Sequence, residues 1–240
     1  MRSGAGRKNL KINVLDHGYV EYIEAWGMGR DGTTDFEVGI IEAARQSTQG
    51  SFRGWGEDHK LLKFLHDNRH ATPFEFAGLV IEVQAPIFVF REWHRHRTQS
   101  YNEMSARYAP LPDLCYLPDW ANLAERGRAA SGNKQAAGVA AYDGRAAMEW
   151  HGELSEFYDA AEKLYQRALK AGVPKELARV TMPVGHYSRM RASANLRNWL
   201  SFLTLRMAPN AQWEIRQYAN AVGKCIEHAF PETWRLFSAP

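Results

Sequence analysis

Helical and strand signals are interspersed along this chain without a regular βαβ alternation, and that order is the strongest constraint on its fold. It argues for an α+β architecture, a central sheet flanked by long helices, rather than a doubly wound parallel sheet. Leu79 to Ala85 alternates and is rich in β-branched residues, which predicts a strand. Pro86 then sits where a helix can open, because its missing N–H is an orphan there anyway. The spacing predicts that helix over 87–98, followed by a polar loop or extended segment from Gln99 to Tyr108.

Other elements follow the same logic. Residues 10–25 carry short apolar stretches suited to strands. Phe36, Ile40, Ile41 and Ala44 predict a helix over 36–47, with Asp35 as its cap. A second helix is expected over 58–70, with Leu61, Leu62, Phe64 and Leu65 facing inward. His151 to Ala171 reads as a long amphipathic helix stopped by Gly172. Pro174 opens a short helix through Arg179, and residues 209–230 form the last, with Ile215, Tyr218, Val222 and Ile226 as its stripe. Residues 109–150, broken by prolines and glycines, read as a loop-rich excursion within a single domain spanning 1–240.

Composition limits the function classes. A net charge of +3 is too small to imply a polyanion-binding surface. The arginines are clustered, however: Arg91, Arg95, Arg97 and Arg107 in one stretch, Arg189, Arg191, Arg197 and Arg206 in another. Arginine favours planar, bidentate recognition of phosphate or carboxylate, so a small phosphorylated ligand is expected rather than nucleic acid. Two distant cysteines make neither a disulfide framework nor a zinc site. The N-terminal residues are followed by no long apolar region and do not read as a signal peptide. No apolar run approaches the roughly 20 residues that span a bilayer. A cytoplasmic location is expected.

Two tempting motifs are weak. Gly27-Met28-Gly29-Arg30-Asp31-Gly32 spells G-x-G-x-x-G, but no second parallel strand with an acidic end follows, so a plain glycine-rich loop is the better reading. His66 and His70 stand four residues apart, as in zinc proteases, yet Asp67 occupies the place of the general-base Glu. An ordinary helix end is expected, and no metal. Aromatics near the arginines (Trp93, Tyr101, Tyr108) leave an RNA-binding module as a remote alternative.

The stretch Arg95-His96-Arg97-Thr98-Gln99-Ser100-Tyr101-Asn102-Glu103-Met104-Ser105-Ala106-Arg107-Tyr108 packs many donors together. By composition alone it is either a solvated basic helix end or an anionic-ligand site. It matches R-H-R-x-x-S-x-N-x-x-S-x-R-Y, the signature of the flavin-dependent thymidylate synthases. His70-Ala71-Thr72-Pro73-Phe74-Glu75, Ala85-Pro86-Ile87-Phe88-Val89, Ala178-Arg179 through Met182-Pro183, Asn195-Leu196-Arg197, Leu203-Thr204-Leu205-Arg206 and Ala211-Gln212-Trp213-Glu214-Ile215 resemble further blocks of that family, in order. The resemblance covers roughly residues 40–235.

The resemblance implies reductive C5-methylation of dUMP to dTMP, with FAD, methylenetetrahydrofolate as carbon donor and NADPH as reductant. It also implies a homotetramer with active sites at subunit junctions. FAD would be held by Ser47, Thr72, Glu75, Arg95, His96, Arg97, Asn195 and Arg197, with Thr98 contributing chiefly backbone. Ser201 stands where some members carry Asn on the FAD-binding face. The nucleotide would be held by Glu103, Met104, Ser105, Ala106, Arg107, Arg179 and Arg206, with Arg95. Glu92 stands near it, where some members carry Gln. Arg206 is the expected catalytic residue, stabilising charge at the uracil N3–O4 edge, and His70 would sit on the flavin and folate side. Ser105 is better read as a phosphate ligand than a nucleophile, since no general base stands beside it in sequence. Relatives in nucleoside-antibiotic pathways methylate UMP, and the signature does not separate the two nucleotides.

Overall fold

The computed structural model describes residues 10–30, 32–48, 50–110, 112–121 and 143–239. Its centre is a five-stranded sheet of β1 (Lys11–Val14), β2 (Gly18–Trp26), β3 (Gly78–Pro86), β4 (Ser100–Glu103) and β5 (Tyr187–Asn195), in the order β1-β2-β3-β5-β4. Every neighbouring pair is antiparallel. Around it lie the helices α1 (Val38–Arg45), α2 (Trp55–Asp67), α3 (Ile87–Trp93), α4 (Gly144–Lys170), α5 (Lys175–Ala178), α6 (Leu196–Arg206), α7 (Trp213–Ala229) and α8 (Pro231–Phe237). This is the expected α+β architecture.

The two central strands show why the sheet is one-sided. Leu79, Ile81, Val83 and Ala85 of β3 and Met190, Ala192 and Ala194 of β5 are buried, whereas Glu82, Gln84, Arg189 and Arg191 alternate with them on the opposite face. Period-two alternation puts one set under helices and leaves the other toward solvent. The core over the inner face is aromatic: Trp93 stacks on Phe202 with centroids 4.6 Å apart, and Trp199 meets Phe202 edge-on. The polar tips are satisfied, Trp199 Nε1 donating to the Leu79 carbonyl and Tyr218 Oη to that of Gln84.

Several expectations hold. β3 forms and passes straight into α3; Gly172 terminates α4 with φ 82°; Ile215, Tyr218, Val222 and Ile226 are the buried stripe of α7. The described residues of the G-x-G-x-x-G stretch lie in a loop between β2 and α1. Its Gly27 has φ 127°, and Gly39 approaches so closely that a Cβ on it would lie 2.3 Å from the Gly27 carbonyl oxygen.

Other expectations are corrected. Asp35 does not cap the first turn of α1: it accepts the N–H of Glu37 and the indole N–H of Trp55 instead. Phe64 faces outward, because Leu62 and Leu65 already fill the inner side of α2 and Phe64 falls on the next face. That helix stops at Asp67 and Arg69 takes φ 56°, so His66 and His70 do not share a helix face. α3 ends at Trp93, well before Thr98, leaving the basic triplet in a turn. α4 starts at Gly144, capped by the Asp143 side chain on Arg145 N–H, so the predicted excursion ends earlier than 150. Its segment 122–142 lies outside the described residues. Among the described residues, no helix is long and apolar enough to cross a membrane.

A buried carboxylate joins the two ends of the fold. Glu37, 1% exposed, accepts the N–H groups of Glu232 and Thr233 at the start of α8, at 2.9 and 2.6 Å. Burial pushes its pKa up to about 7 despite these bonds.

Candidate active site

Two strand-to-helix corners build the site. β3 runs into α3, which delivers Glu92 and then the turn carrying Arg95, His96, Arg97 and Thr98. β5 runs into α6, which delivers Arg197, Ser201 and Arg206. β3 and β5 are antiparallel, so α3 and α6 leave opposite ends of the pair, and Trp93 of α3 packing on Trp199 and Phe202 of α6 brings both helices together over the inner face.

The early end of α3 has a specific cause. Terminal carbonyls of a helix need donors from outside. Tyr101, on β4, donates its hydroxyl to the carbonyls of His96 and Trp93 at 2.7 and 3.3 Å, and the Trp93 indole donates to Gln99 at 3.1 Å. The chain therefore folds back on itself immediately after the helix. Of the three aromatics named for the RNA-binding alternative, Trp93 is fully buried and Tyr101 half-buried with its hydroxyl engaged, whereas Tyr108 is 80% exposed.

Arg206, at the last turn of α6, reaches into this turn. Its Nε donates to His96 Nε2 at 2.9 Å, one terminal nitrogen to the Glu92 carboxylate at 3.0 Å, and the other to the Glu92 carbonyl at 3.1 Å. His96 must accept, so it is neutral with its proton on Nδ1. Its pKa is pushed down to about 4, first by burial and then by the Arg206 charge.

Several residues predicted to hold a flavin nucleotide lie on the elements that build this cluster. Arg197 pairs with Glu75 of the 3₁₀ turn Thr72–Phe76, and Asn198 donates to the Thr98 carbonyl at 3.0 Å. Arg197, Ser201 and Leu205 form one exposed face of α6, opposite the buried Leu196, Trp199, Phe202 and Leu203. Arg95, Arg97 and Thr98 are exposed alongside. Asn195 uses its side-chain oxygen to cap α6 through Asn198 N–H, leaving its amide N–H₂ for other partners. His70 and Thr72 line a cleft of about 580 Å³ walled by Ala43, Ala44, Leu65 and Pro73, and Ser47 lies in the neighbouring 3₁₀ turn.

The remaining residues predicted to hold the nucleotide form a second group. Met104 N–H bonds the Arg189 carbonyl, and the loop beyond folds on Ser105: its Oγ accepts Arg107 N–H, and its carbonyl accepts the N–H groups of Tyr108 and Ala109. Glu103 is exposed at the end of β4, and Ala106 is buried beneath the loop. Arg107 pairs with Glu176 at 3.4 Å, Arg179 bonds the Glu176 carbonyl, and Lys175 bonds the Tyr108 carbonyl at 3.0 Å. Among the described residues, no hydrogen bond or ion pair links this group to the Arg206 cluster. Sequence reasoning missed Tyr101, Asn198 and Lys175. Tyr101 is a half-buried aromatic between polar neighbours of the signature, which is the signal that would have found it.

Comparison with known proteins fits this geometry. Residues 31–232 match the family model described as thymidylate synthase complementing protein. The chain belongs to this family. Within it, a flavin-dependent thymidylate synthase of Thermus thermophilus is 38% identical over 229 residues, covering 95% of this chain and 78% of its own. Another, from Thermotoga neapolitana, is 34% identical, covering 95% and 94%. Among solved structures, PolB of Streptomyces cacaoi, a UMP/dUMP methylase bound with 5-Br UMP, superposes with TM-score 0.79 at 29% identity, covering 95% of this chain and 96% of that one. Membership of the thymidylate synthase complementing protein family is what the signature led one to expect.

Proposed function

We propose that this chain is a flavin-dependent thymidylate synthase, converting dUMP to dTMP with methylenetetrahydrofolate as carbon donor and NADPH as reductant. The observation that carries the reading is the meeting of Arg206 with the signature turn, beside a face of α6 whose side chains suit a flavin dinucleotide. The donor set fits FAD: Arg95, Arg97 and Arg197 supply planar cations for a pyrophosphate, while Thr72, Ser201 and the Asn195 amide supply neutral partners for sugar and ring edges. His70, which lines the cleft with Thr72, is assigned to the flavin and folate side in this reading.

Bound flavin would supply the hydride chemistry. The chain's own residues do the rest. Ser105, Arg107 and Arg179 hold the phosphate. Arg206 holds a fixed positive charge for the uracil N3–O4 edge and stabilises the negative charge that develops there when C5 acts as nucleophile. Holding the pyrimidine in one orientation makes the encounter effectively unimolecular.

A homotetramer with sites at subunit junctions belongs to the same reading. It is supported by the two separate nucleotide groups and by the exposed apolar side chains Leu177, Val180 and Val184 beside Arg179. A cytoplasmic enzyme of nucleotide synthesis is proposed.

The test is product mass. The protein is incubated anaerobically with FAD, NADPH and methylenetetrahydrofolate, and given dUMP or UMP in parallel. Methylation of dUMP alone is the expected result. Preferential methylation of UMP would move the chain to ribonucleotide chemistry, and methylation of neither would overturn the reaction.

A further inference from the structure

The end of α2 carries a residue that its backbone does not favour. The N–H groups of Arg69 and His70 bond the carbonyls of His66 and Leu65 at 3.0 and 2.8 Å, and Asn68 N–H bonds that of Phe64 at 3.1 Å. The first two bonds are the paired arrangement that closes a helix through one residue in the left-handed region. Glycine suits that position, because a Cβ crowds the neighbouring carbonyl there. Here Arg69 holds it, with φ 56°. Among the described residues the other non-glycine residue at positive φ is Leu15, so Arg69 is the one that carries a charge.

The Arg69 side chain lines the cleft of about 580 Å³ together with His70, Thr72 and Phe76. It is exposed, and among the described residues no hydrogen bond or ion pair engages its guanidinium. No carboxylate stands among the described residues that line the cleft; their ionisable side chains are Arg69 and His70. Phe76 is 61% exposed, and His70 is held edge-on against Phe64 with ring centroids 5.4 Å apart, so the cleft also has flat aromatic surfaces. An unengaged guanidinium beside aromatic and apolar walls suits a ligand with a flat body and an anionic end.

We infer that Arg69 anchors the anionic group of a co-substrate in this cleft, a carboxylate or a phosphate, and that its strained backbone is kept for that contact. The inference rests on the proposed reaction, whose two co-substrates are both anionic: methylenetetrahydrofolate through its glutamyl carboxylates and NADPH through its phosphates. The strain sets a signature that a merely solvated arginine would lack. Removing the side chain should help the fold and harm the binding.

Arg69→Gly makes that separation in one step. The melting temperature of the variant is expected to rise by about 2–4 °C, since the left-handed position is relieved. Calorimetry on the flavin-loaded protein is run with tetrahydrofolate, with tetrahydropteroate (which lacks the glutamyl carboxylates) and with NADPH. The dissociation constant of an anchored ligand should rise by about fivefold at low salt, and by less as salt is raised. A loss with tetrahydrofolate but not with tetrahydropteroate assigns the anion to the carbon donor. A salt-dependent loss with NADPH assigns it to the reductant. Arg69→Lys, which keeps the charge and not the planar fork, should recover part of either loss. Unchanged constants for every ligand would overturn the inference, as would equal losses with tetrahydrofolate and tetrahydropteroate. Flavin lost from Arg69→Gly on dialysis would give the guanidinium to FAD and overturn it too, and a variant less stable than wild type would show that Arg69 serves the fold. A wild-type protein that shows the Arg69-dependent binding but methylates no uridylate refutes the proposed reaction and leaves the inference standing. One that binds neither co-substrate refutes both.

Discussion

The hydroxyl of Tyr101 donates to the carbonyl oxygen of His96 across 2.7 Å, tying the edge strand β4 to the turn that carries the basic triplet. The bond satisfies a carbonyl of the turn that follows α3, close to the buried Trp93. Tyr101→Phe keeps the ring and removes the donor. Urea denaturation should show a loss of about 1 kcal/mol, and flavin retention should weaken because the turn loosens. Unchanged stability would mean that the turn is held by other contacts.

Glu37 gives the fold a dependence on pH. Its carboxyl has a folded pKa of about 7 against an ordinary 4.5, so between those values the folded protein binds more protons than the unfolded chain. Its contribution is fully present below the ordinary value and is lost as pH rises toward and through 7. Wild-type stability is therefore expected to fall by up to roughly 3 kcal/mol between acidic and alkaline buffer on this account. Glu37→Gln should flatten that slope and be more stable than wild type at pH above 8, measured by denaturation across a pH series.

Gly39→Ala should be costly. The new Cβ would lie 2.3 Å from the carbonyl oxygen of Gly27, which accepts the Gly39 N–H at 2.7 Å. Backbone is the obstacle, so the loop or α1 must shift, at about 1–3 kcal/mol. A melting temperature equal to wild type would refute the close approach.

Arg97→Ala and Arg206→Ala should part company. Arg97 is exposed beside the face of α6 proposed to hold FAD, so its loss should lower flavin content after dialysis. Arg206→Ala should leave flavin bound and abolish turnover, a loss of at least about a hundredfold for a charge-stabilising group. Flavin content and single-turnover rates of the two variants check both expectations.

What could be read from the sequence depended on whether a pattern was local. β3 was legible because Leu79, Ile81 and Val83 alternate strongly, and α7 because four large side chains repeat at helical spacing. β5 was not, because its inner positions after Met190 are Ala192 and Ala194, small residues interleaved with polar ones. Its strand state comes from pairing with β3 and β4. The length of α3 was overestimated for a similar reason: the donor that ends it, Tyr101, lies beyond the helix. At the candidate site, the signature covers the turn that Arg206 reaches. The Arg206–Glu92 contact joins positions 114 residues apart, and no periodicity announces it.

That separation also sets an order of events during synthesis. β3 can pair with β2 early, but its other edge stays open until β5, its partner from Gly78↔Asn195 to Pro86↔Tyr187, has been made. Only after that can α6 swing Arg206 onto Glu92. The nascent chain thus carries an apolar, unpaired strand edge through much of translation, the kind of surface that other chains and chaperones bind. The Arg206–Glu92 contact forms only then, so a chain truncated before α6 would keep the basic triplet and lose the arginine that bonds His96 and Glu92.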